Sequence, residues 1–382
     1  MYPALAVYQA LMAPSPETEV SGLLKSKLPS ILWVGGIGGM EANLVNRKGL
    51  AYQEIPAAGV HGVGVRILPR NLWQIGRGLL ASRRILQEYQ PDVLFFTGGY
   101  VAVPMALAGR ITRYRRRRPR VLLYVPDIEP GLALKTLARF ADHIAISGEE
   151  TRRFLSRQAG VTLTGYPTRA ELSNWAKSTD NWKEGRRLFG LKEALPLLLV
   201  FGGSKGARSI NRALLTILPD LLAEMQVLHI SGTLDWEEIE SSKEKLVANI
   251  PPEQASRYRV FPYLHDEMGA ALAAADLVVC RAGASTLGEL PLFGLPAILV
   301  PYPYAWRYQQ VNAEHLAQNG AATILQDGDL SKKLRSTVQE LLRNPEKLEQ
   351  MRIKMRSLAH PQAAQSIANL IYSLVQPDGG AG

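Results

Sequence analysis

Residues Cys280–Ala313 read C-R-A-G-A-S-T-L-G-E-L-P-L-F-G-L-P-A-I-L-V-P-Y-P from Cys280 to Pro303, with Tyr308-Gln309-Gln310-Val311-Asn312-Ala313 closing the stretch. An apolar run, Leu277–Cys280, leads in as a buried strand. The small residues Gly283–Thr286 then make a turn, and a short helix starts near Ser285. The first N–H groups of a helix lack intrahelical partners and carry the positive end of its dipole, so this turn can hold an anion such as a phosphate. Glu289 stands one helical turn in, where a carboxylate can take two neighbouring hydroxyls, as on a ribose. The next strand, Ala297–Val300, ends in a Pro-rich loop that leads to Gln309 and Asn312. Their amides both donate and accept, which suits sugar hydroxyls. Phosphate, ribose and hexose are the parts of a nucleotide sugar.

Outward from this stretch, strands and helices alternate. In the first half, strands fall at Ser30–Val34, Val93–Phe96, Val121–Tyr124, His143–Ser147 and Val161–Thr164, with helices over Leu72–Glu88, Val103–Ile111 and Gly131–Phe140. A charged, Trp-containing connection, Ala170–Lys192, separates this half from a second run. That run has strands Leu197–Phe201, Gln226–Ser231 and Tyr258–Phe261 and helices Ser209–Leu222, Trp236–Val247 and Met268–Ala275, ahead of the opening stretch. The rhythm is that of an α/β protein with two doubly wound, Rossmann-like domains, and a cleft between two such domains is a natural place for a nucleotide-linked substrate. Leu330–Val375 reads as helices and 377–382 as a tail. The expected division is an N-terminal domain over 1–168, a C-terminal domain over 169–358, a last helix within 359–376 that packs back on the first domain, and the tail.

Length supports this division, since 382 residues hold about two domains. With a single cysteine, Cys280, an internal disulfide is impossible, and its place at a strand end marks an inert core thiol in a reducing compartment. No apolar run reaches the roughly 20 residues of a membrane span. The apolar opening residues lack a basic leader and read as a helix of a globular domain.

The net charge is +10. The basic residues form no nucleic-acid-binding signature, so nucleic acid is not expected as a partner. They gather in Arg113–Arg120 and in Arg66–Arg84. The second segment interleaves Leu68, Leu72, Trp73, Ile75 and Leu79 with arginines. That pattern fits a helix lying on an anionic bilayer, and equally a helix packed on a sheet with a solvated face.

Two glycine turns follow strands: F-G-G-S-K-G-A-R-S-I-N after Leu197–Val200, and T-G-G-Y-V-A-V-P after Val93–Phe96. Each lets backbone approach a ligand ahead of a helix N-terminus, and Ser204 adds a hydroxyl. Either turn alone can also just relieve crowding at a strand end; neither is a Walker loop or a dinucleotide fingerprint. Gly35–Gly39 is a third candidate turn. The six histidines show no ligand spacing, and Asp327-Gly328-Asp329 reads as a surface turn, so no metal site and no cofactor are expected.

Taken together, G-G-M-E-A-N-L-V, P-D-V-L-F-F-T-G-G-Y-V-A-V-P, F-G-G-S-K-G-A-R-S-I-N, C-R-A-G-A-S-T-L-G-E and Q-Q-V-N-A resemble, in order and spacing, the MurG family of bacterial peptidoglycan glycosyltransferases, which has the GT-B fold. The resemblance covers nearly the whole chain. It implies transfer of N-acetylglucosamine from UDP-N-acetylglucosamine to an undecaprenyl-pyrophosphoryl-muramoyl-pentapeptide at the cytoplasmic face of the cell membrane. By this resemblance Glu289 binds the ribose, while Ala284, Ser285 and Thr286 serve the sugar and diphosphate. Gln309 and Asn312 read the sugar, Ser204 lies by the α-phosphate, Arg169 helps hold the nucleotide, and the backbone at Leu264 and His265 passes the uracil. Gly98, Gly99 and Tyr100 form the acceptor's pyrophosphate site, and the Leu68–Leu79 region is a membrane patch.

Three positions depart from the family pattern. The family opens with a strand and a G-G-T-G-G-H-x-x-P loop, and Met1–Ala6 matches only the end of that loop. The expectation is a start misassigned at a GTG codon, and one parallel strand fewer is expected to expose apolar faces in the first domain. The family's H-E-Q-N appears as Tyr124-Val125-Pro126-Asp127, and the asparagine of its N-P-x-R is Tyr166. The general base is therefore unassigned, with Asp127 and Glu129 as candidates. The expected reaction is inverting transfer, with helix N-termini and hydroxyls stabilising the departing diphosphate. The alternatives are a transferase acting on another lipid or natural-product acceptor, and an inactive UDP-sugar-binding protein of the cell-wall machinery.

Overall fold

The computed structural model describes residues 1–13, 28–39, 41–57, 68–113, 118–156, 160–178, 180–203, 205–304 and 308–375. The chain divides into two compact units, Met1–Pro167 with Gln362–Gly382, and Thr168–Pro361. The first crossing lies at Pro167, next to the boundary read from the sequence. The tail from 376 onward lies outside the described residues.

The second unit is built on one six-stranded parallel sheet in the order β12-β11-β10-β7-β8-β9. Its strands are β7 (Leu197–Phe201), β8 (Gln226–Ile230), β9 (Tyr258–Phe261), β10 (Leu277–Cys280), β11 (Ala297–Leu299) and β12 (Ala322–Ile324). Parallel strands covered on both faces read as unbroken apolar runs, as L-L-L-V-F and L-V-V-C do. The core gathers Leu198, Val200, Val227, Leu277, Val279 and Ile298 of the sheet with Ile210, Leu214 and Leu221 of the helix Arg208–Leu222.

The segment Ala170–Lys192, expected as a charged connection, is instead two helices, Ala170–Ala176 and Asn181–Leu188. Tertiary contact explains the difference. Gly185 lets the second helix approach the helix Met268–Ala274 so closely that an added Cβ would stand 2.5 Å from the Ala270 carbonyl. The buried Arg186 guanidinium donates to the carbonyls of Ala274, Lys192, Glu193 and Leu195 and pairs with Asp276. Asp276 in turn accepts from the Leu197 amide at 2.8 Å, fixing the start of β7. A buried charge is tolerable when every donor is engaged in this way.

The first unit holds two parallel sheets: β1 (Leu32–Gly36) with β2 (Ala51–Ile55), and β3-β4-β5-β6 over Val93–Phe96, Arg120–Val125, His143–Ile146 and Val161–Leu163. The strand β2 had no strong sequence signal, while the helix Glu41–Arg47 follows the Gly35–Gly39 turn. The helix Leu68–Tyr89 begins earlier than its apolar period indicates. The helix Ala363–Val375 packs in this unit against the helix Tyr2–Met12, where Tyr372 Oη donates to the Leu11 carbonyl at 2.9 Å.

Among the described residues, β1 has no strand partner other than β2 and β3 none other than β4. A cavity of about 840 Å³ is lined by consecutive residues of both, Ser30–Val34 and Val93–Thr97. Residues of the helices Tyr2–Met12, Leu68–Tyr89, Ala102–Ile111 and Ala363–Val375 complete its lining. No helix among the described residues is long and apolar enough to cross a membrane.

Candidate active site

In the second unit the described candidate donor residues other than Arg169 follow β9, β10 and β11, at the strand ends where doubly wound folds bind ligands. The helix Thr286–Phe293 starts directly after β10 and ends at Gly294 in the left-handed conformation, φ 61°. Its first turn is tighter than the sequence implied. The amides of Thr286, Leu287 and Gly288 donate to the carbonyls three residues back, and Thr286 Oγ1 donates to the Gly283 carbonyl at 2.7 Å. The donors left for an anion are the amides of Gly283, Ala284 and Ser285, which have no partner among the described residues.

Glu289 projects from this turn with its backbone N–H bonded to the Ser285 carbonyl at 2.8 Å. Burial pushes its carboxyl up to about 7, against opposing pulls from the Arg169 guanidinium and a hydrogen bond from Ser285. Arg169 reaches it from the N-cap of the helix Ala170–Ala176. A carboxyl lifted toward neutrality in a site with a cation nearby is a frequent mark of function. Cys280, just behind, is fully buried with its thiol pushed far up, in keeping with a core role.

The two sugar-reading amides separate. Gln309 is partly exposed at the start of the helix Tyr308–Gln318, and its Oε1 accepts from the Tyr302 amide at 2.9 Å. Asn312 is fully buried and donates through Nδ2 to the Ala282 carbonyl at 3.2 Å. One turn beyond Gln309, Asn312, also expected to read the sugar, points into the core and braces the β10 turn. Leu264 is also buried, while His265 is exposed, with its ring 4.6 Å from that of Tyr263 and its amide held by Glu267 at 3.2 Å.

Ser204 lies outside the described residues. Its glycine turn is tied down on the β8 side. Gly206, at φ 89°, packs so closely on the turn after β8 that an added Cβ would stand 2.2 Å from the Ser231 carbonyl. This glycine is required by backbone approach, whereas Gly203 faces open space at φ 95°. Below that turn, His229 is fully buried between Tyr258 Oη (2.8 Å) and Asn211 Oδ1 (3.0 Å). Burial lowers its pKa to about 3, so it stays neutral.

Asp327, read as part of a surface turn, is partly buried and committed. It pairs with Arg281 and accepts from Ser209 Oγ at 2.7 Å. Arg281 was not singled out, although it lies in the stretch that decides the fold. Its partner stands 46 positions further on, and no spacing rule reaches that far.

In the first unit, Gly98 and Gly99 take φ 111° and 88° ahead of the helix Ala102–Ile111, and Tyr100 is exposed. Of the candidate bases, Glu129 is buried and paired with Lys135 at 3.3 Å, while Asp127 is partly exposed. Two departures from the family pattern meet: the rings of Tyr124 and Tyr166 pack edge to face at 6.4 Å, and Tyr124 Oη bonds to Ser147 Oγ at 2.7 Å. The two side chains form one buried aromatic pair. Along the helix Leu68–Tyr89 the described side chains divide. Trp73 and Leu80 are exposed, with Arg77 4.9 Å over the Trp73 ring, and Ile75 is partly buried. Leu79 packs against the core, so it does not belong to an outward patch. Leu68 and Leu72 lie in the helix.

Family models match both halves of the chain: the glycosyltransferase family 28 N-terminal domain over residues 1–146 and its C-terminal domain over residues 197–367. The chain belongs to glycosyltransferase family 28. A curated family 28 relative from Roseiflexus sp. (strain RS-1) is 38% identical over 98% of this chain and 92% of its own length. One from Desulforudis audaxviator is 35% identical over 98% and 95%. Both bear the name UDP-N-acetylglucosamine–N-acetylmuramyl-(pentapeptide) pyrophosphoryl-undecaprenol N-acetylglucosamine transferase. The fold matches the crystal structure of Acinetobacter baumannii MurG with TM-score 0.70 at 24% identity, covering 97% of this chain and 95% of that one. It also matches a UDP-GlcNAc 2-epimerase from Neisseria meningitidis with TM-score 0.63 at 10% identity, over 95% of each chain. The family 28 pattern thus spans both units.

Proposed function

We propose that this family 28 chain transfers N-acetylglucosamine from UDP-N-acetylglucosamine to an undecaprenyl-pyrophosphoryl-muramoyl-pentapeptide, with inversion at the anomeric carbon. The observation that carries the reading is Glu289 beside Arg169 at the first turn of the helix after β10, within a chain whose relatives of that name match along nearly its whole length. In its ionised form Glu289 accepts hydrogen bonds from the two ribose hydroxyls. The Gly283–Ser285 amides receive the diphosphate, whose negative charge grows as it departs, and that is where fixed donors lower a barrier. Gln309 contacts the hexose.

The acceptor belongs to the first unit, at the Gly98-Gly99-Tyr100 turn. Asp127 is the better candidate for the proton acceptor, because it is partly exposed where Glu129 is buried. The exposed Trp73, Leu80 and neighbouring arginines of the helix Leu68–Tyr89 support a peripheral seat on the anionic cytoplasmic face of the membrane.

The test is transfer of radiolabel from UDP-N-acetylglucosamine to the lipid-linked muramoyl-pentapeptide. Label in the lipid product, much reduced by Glu289→Ala at limiting donor, is the expected result. Donor binding without transfer to this acceptor would overturn the assignment in favour of another acceptor or an inactive binding protein.

A further inference from the structure

We infer that Arg281 is a positioning residue that sets the donor-sugar specificity of Gln309 without touching the sugar. The inference deepens the reading of Gln309 as the hexose contact and rests on it.

Arg281 follows the last residue of β10 and joins three other segments of the second unit. Its Nη1 donates to the carbonyls of Val300 (3.2 Å) and Pro301 (3.4 Å) and pairs with Asp327 Oδ1, while its Nη2 donates to Ser209 Oγ at 2.8 Å. Its guanidinium carbon also lies 5.2 Å over the ring of Tyr302. The end of β11, the loop before the helix beginning at Leu330 and the start of the helix Arg208–Leu222 are thereby held by one planar cation. The fork geometry matters: lysine supplies the charge but cannot span three segments.

The consequence falls on Tyr302. With the Val300 and Pro301 carbonyls fixed, the next amide N–H in the chain is aimed at Gln309 Oε1, 2.9 Å away. A backbone N–H can only donate, so the atom it meets must be the amide oxygen, and the side-chain orientation follows without ambiguity. That bond takes one lone pair of the oxygen and holds the amide against a flip, so its NH2 stands in one defined place. There it meets the hexose as a donor, seeking sugar oxygens. An amide free to flip would accept from a sugar hydroxyl as readily as donate to it, and would distinguish epimers less well. Releasing Arg281 frees the loop, then the Tyr302 amide, then the flip.

The experiment is a double-mutant cycle on the full chain. KM and kcat for UDP-N-acetylglucosamine, and Kd for UDP alone, are measured for the unaltered protein, Arg281→Lys, Gln309→Ala and the combination. Arg281→Lys is expected to raise the sugar-nucleotide KM about tenfold while leaving UDP affinity within about twofold. In the combined variant it adds little to Gln309→Ala, because both act through one contact. Additive effects, or an equal loss of UDP and UDP-sugar affinity, overturn the positioning role. An unchanged KM in Gln309→Ala instead removes the reading of Gln309 beneath it, so the two failures are distinct. If Arg281→Lys does not fold, Asp327→Asn weakens the same clamp with the arginine in place. It should shift KM in the same direction, and an unchanged KM there counts against the inference.

Discussion

The two units share a parallel α/β design and differ in continuity. In the second, six strands run unbroken and every interior strand has a neighbour on both sides. In the first, β1 and β3 each present an edge with no strand partner among the described residues, and a cavity of about 840 Å³ lies against both. The same division holds for chemistry. The second unit holds the residues proposed for the donor, Glu289, Arg169 and Gln309. In the first, Tyr124 and Tyr166, two positions that differ from the pattern the sequence resembles, form a packed pair. Peptide groups without ladder partners and side chains without opposing atoms both weaken a core, so continuity here is a statement about stability.

The largest expected effect is a test of that contrast. Leu199→Ala, at a fully buried position of β7, should cost about 2–5 kcal/mol in denaturant unfolding of the second unit. Leu94→Ala on β3 should cost less, about 1–2 kcal/mol, because Leu94 already borders the cavity and loses fewer contacts. Equal costs would break the comparison. Hydrogen exchange sharpens it. Amides of β1 and β3 are expected to exchange about 100-fold faster than those of β7 and β10, and matched protection would contradict the reading of the edges.

Glu289→Ala should weaken UDP binding by about 1–3 kcal/mol, measured by calorimetry. The pH dependence carries its own sign. The carboxyl titrates near 7 and binds ribose hydroxyls best when ionised, so UDP affinity should rise from pH 6 to 8. Each unit below 7 should cost up to about tenfold. Because the folded pKa is raised above the ordinary carboxylate value of 4.5, the same group favours folding most at low pH, and that contribution is lost as pH climbs through 7. Glu289→Gln should flatten the binding profile; an unaltered slope would assign it to another group. The smallest effect belongs to the first unit: Tyr124→Phe, which removes the hydroxyl bonded to Ser147, should lower stability by about 1 kcal/mol in thermal unfolding.

Much of this protein is written in local patterns. Apolar runs such as Leu277–Cys280 and Leu197–Phe201 are buried on both faces wherever they sit in a parallel sheet, so their length and composition alone mark them as strands. The short helix after Cys280 and the place of Glu289 in its first turn follow from glycine and small-residue spacing. The family was legible because several weak motifs occur in one order.

Other features depend on groups distant in sequence. The helices within Ala170–Lys192 exist because Gly185 and Arg186 meet the helix Met268–Ala274 and Asp276, about 90 positions away. Asn312 shares a helix with Gln309, yet one is buried and the other partly exposed, because the angle between them decides which faces the core. The pairing of Arg281 with Asp327, the meeting of Tyr124 with Tyr166, and the cavity beside β1 and β3 are likewise products of tertiary closure. Sequence fixes periodicity and residue type over a few turns. Burial and partnership across dozens of positions are decided only when the chain folds back on itself.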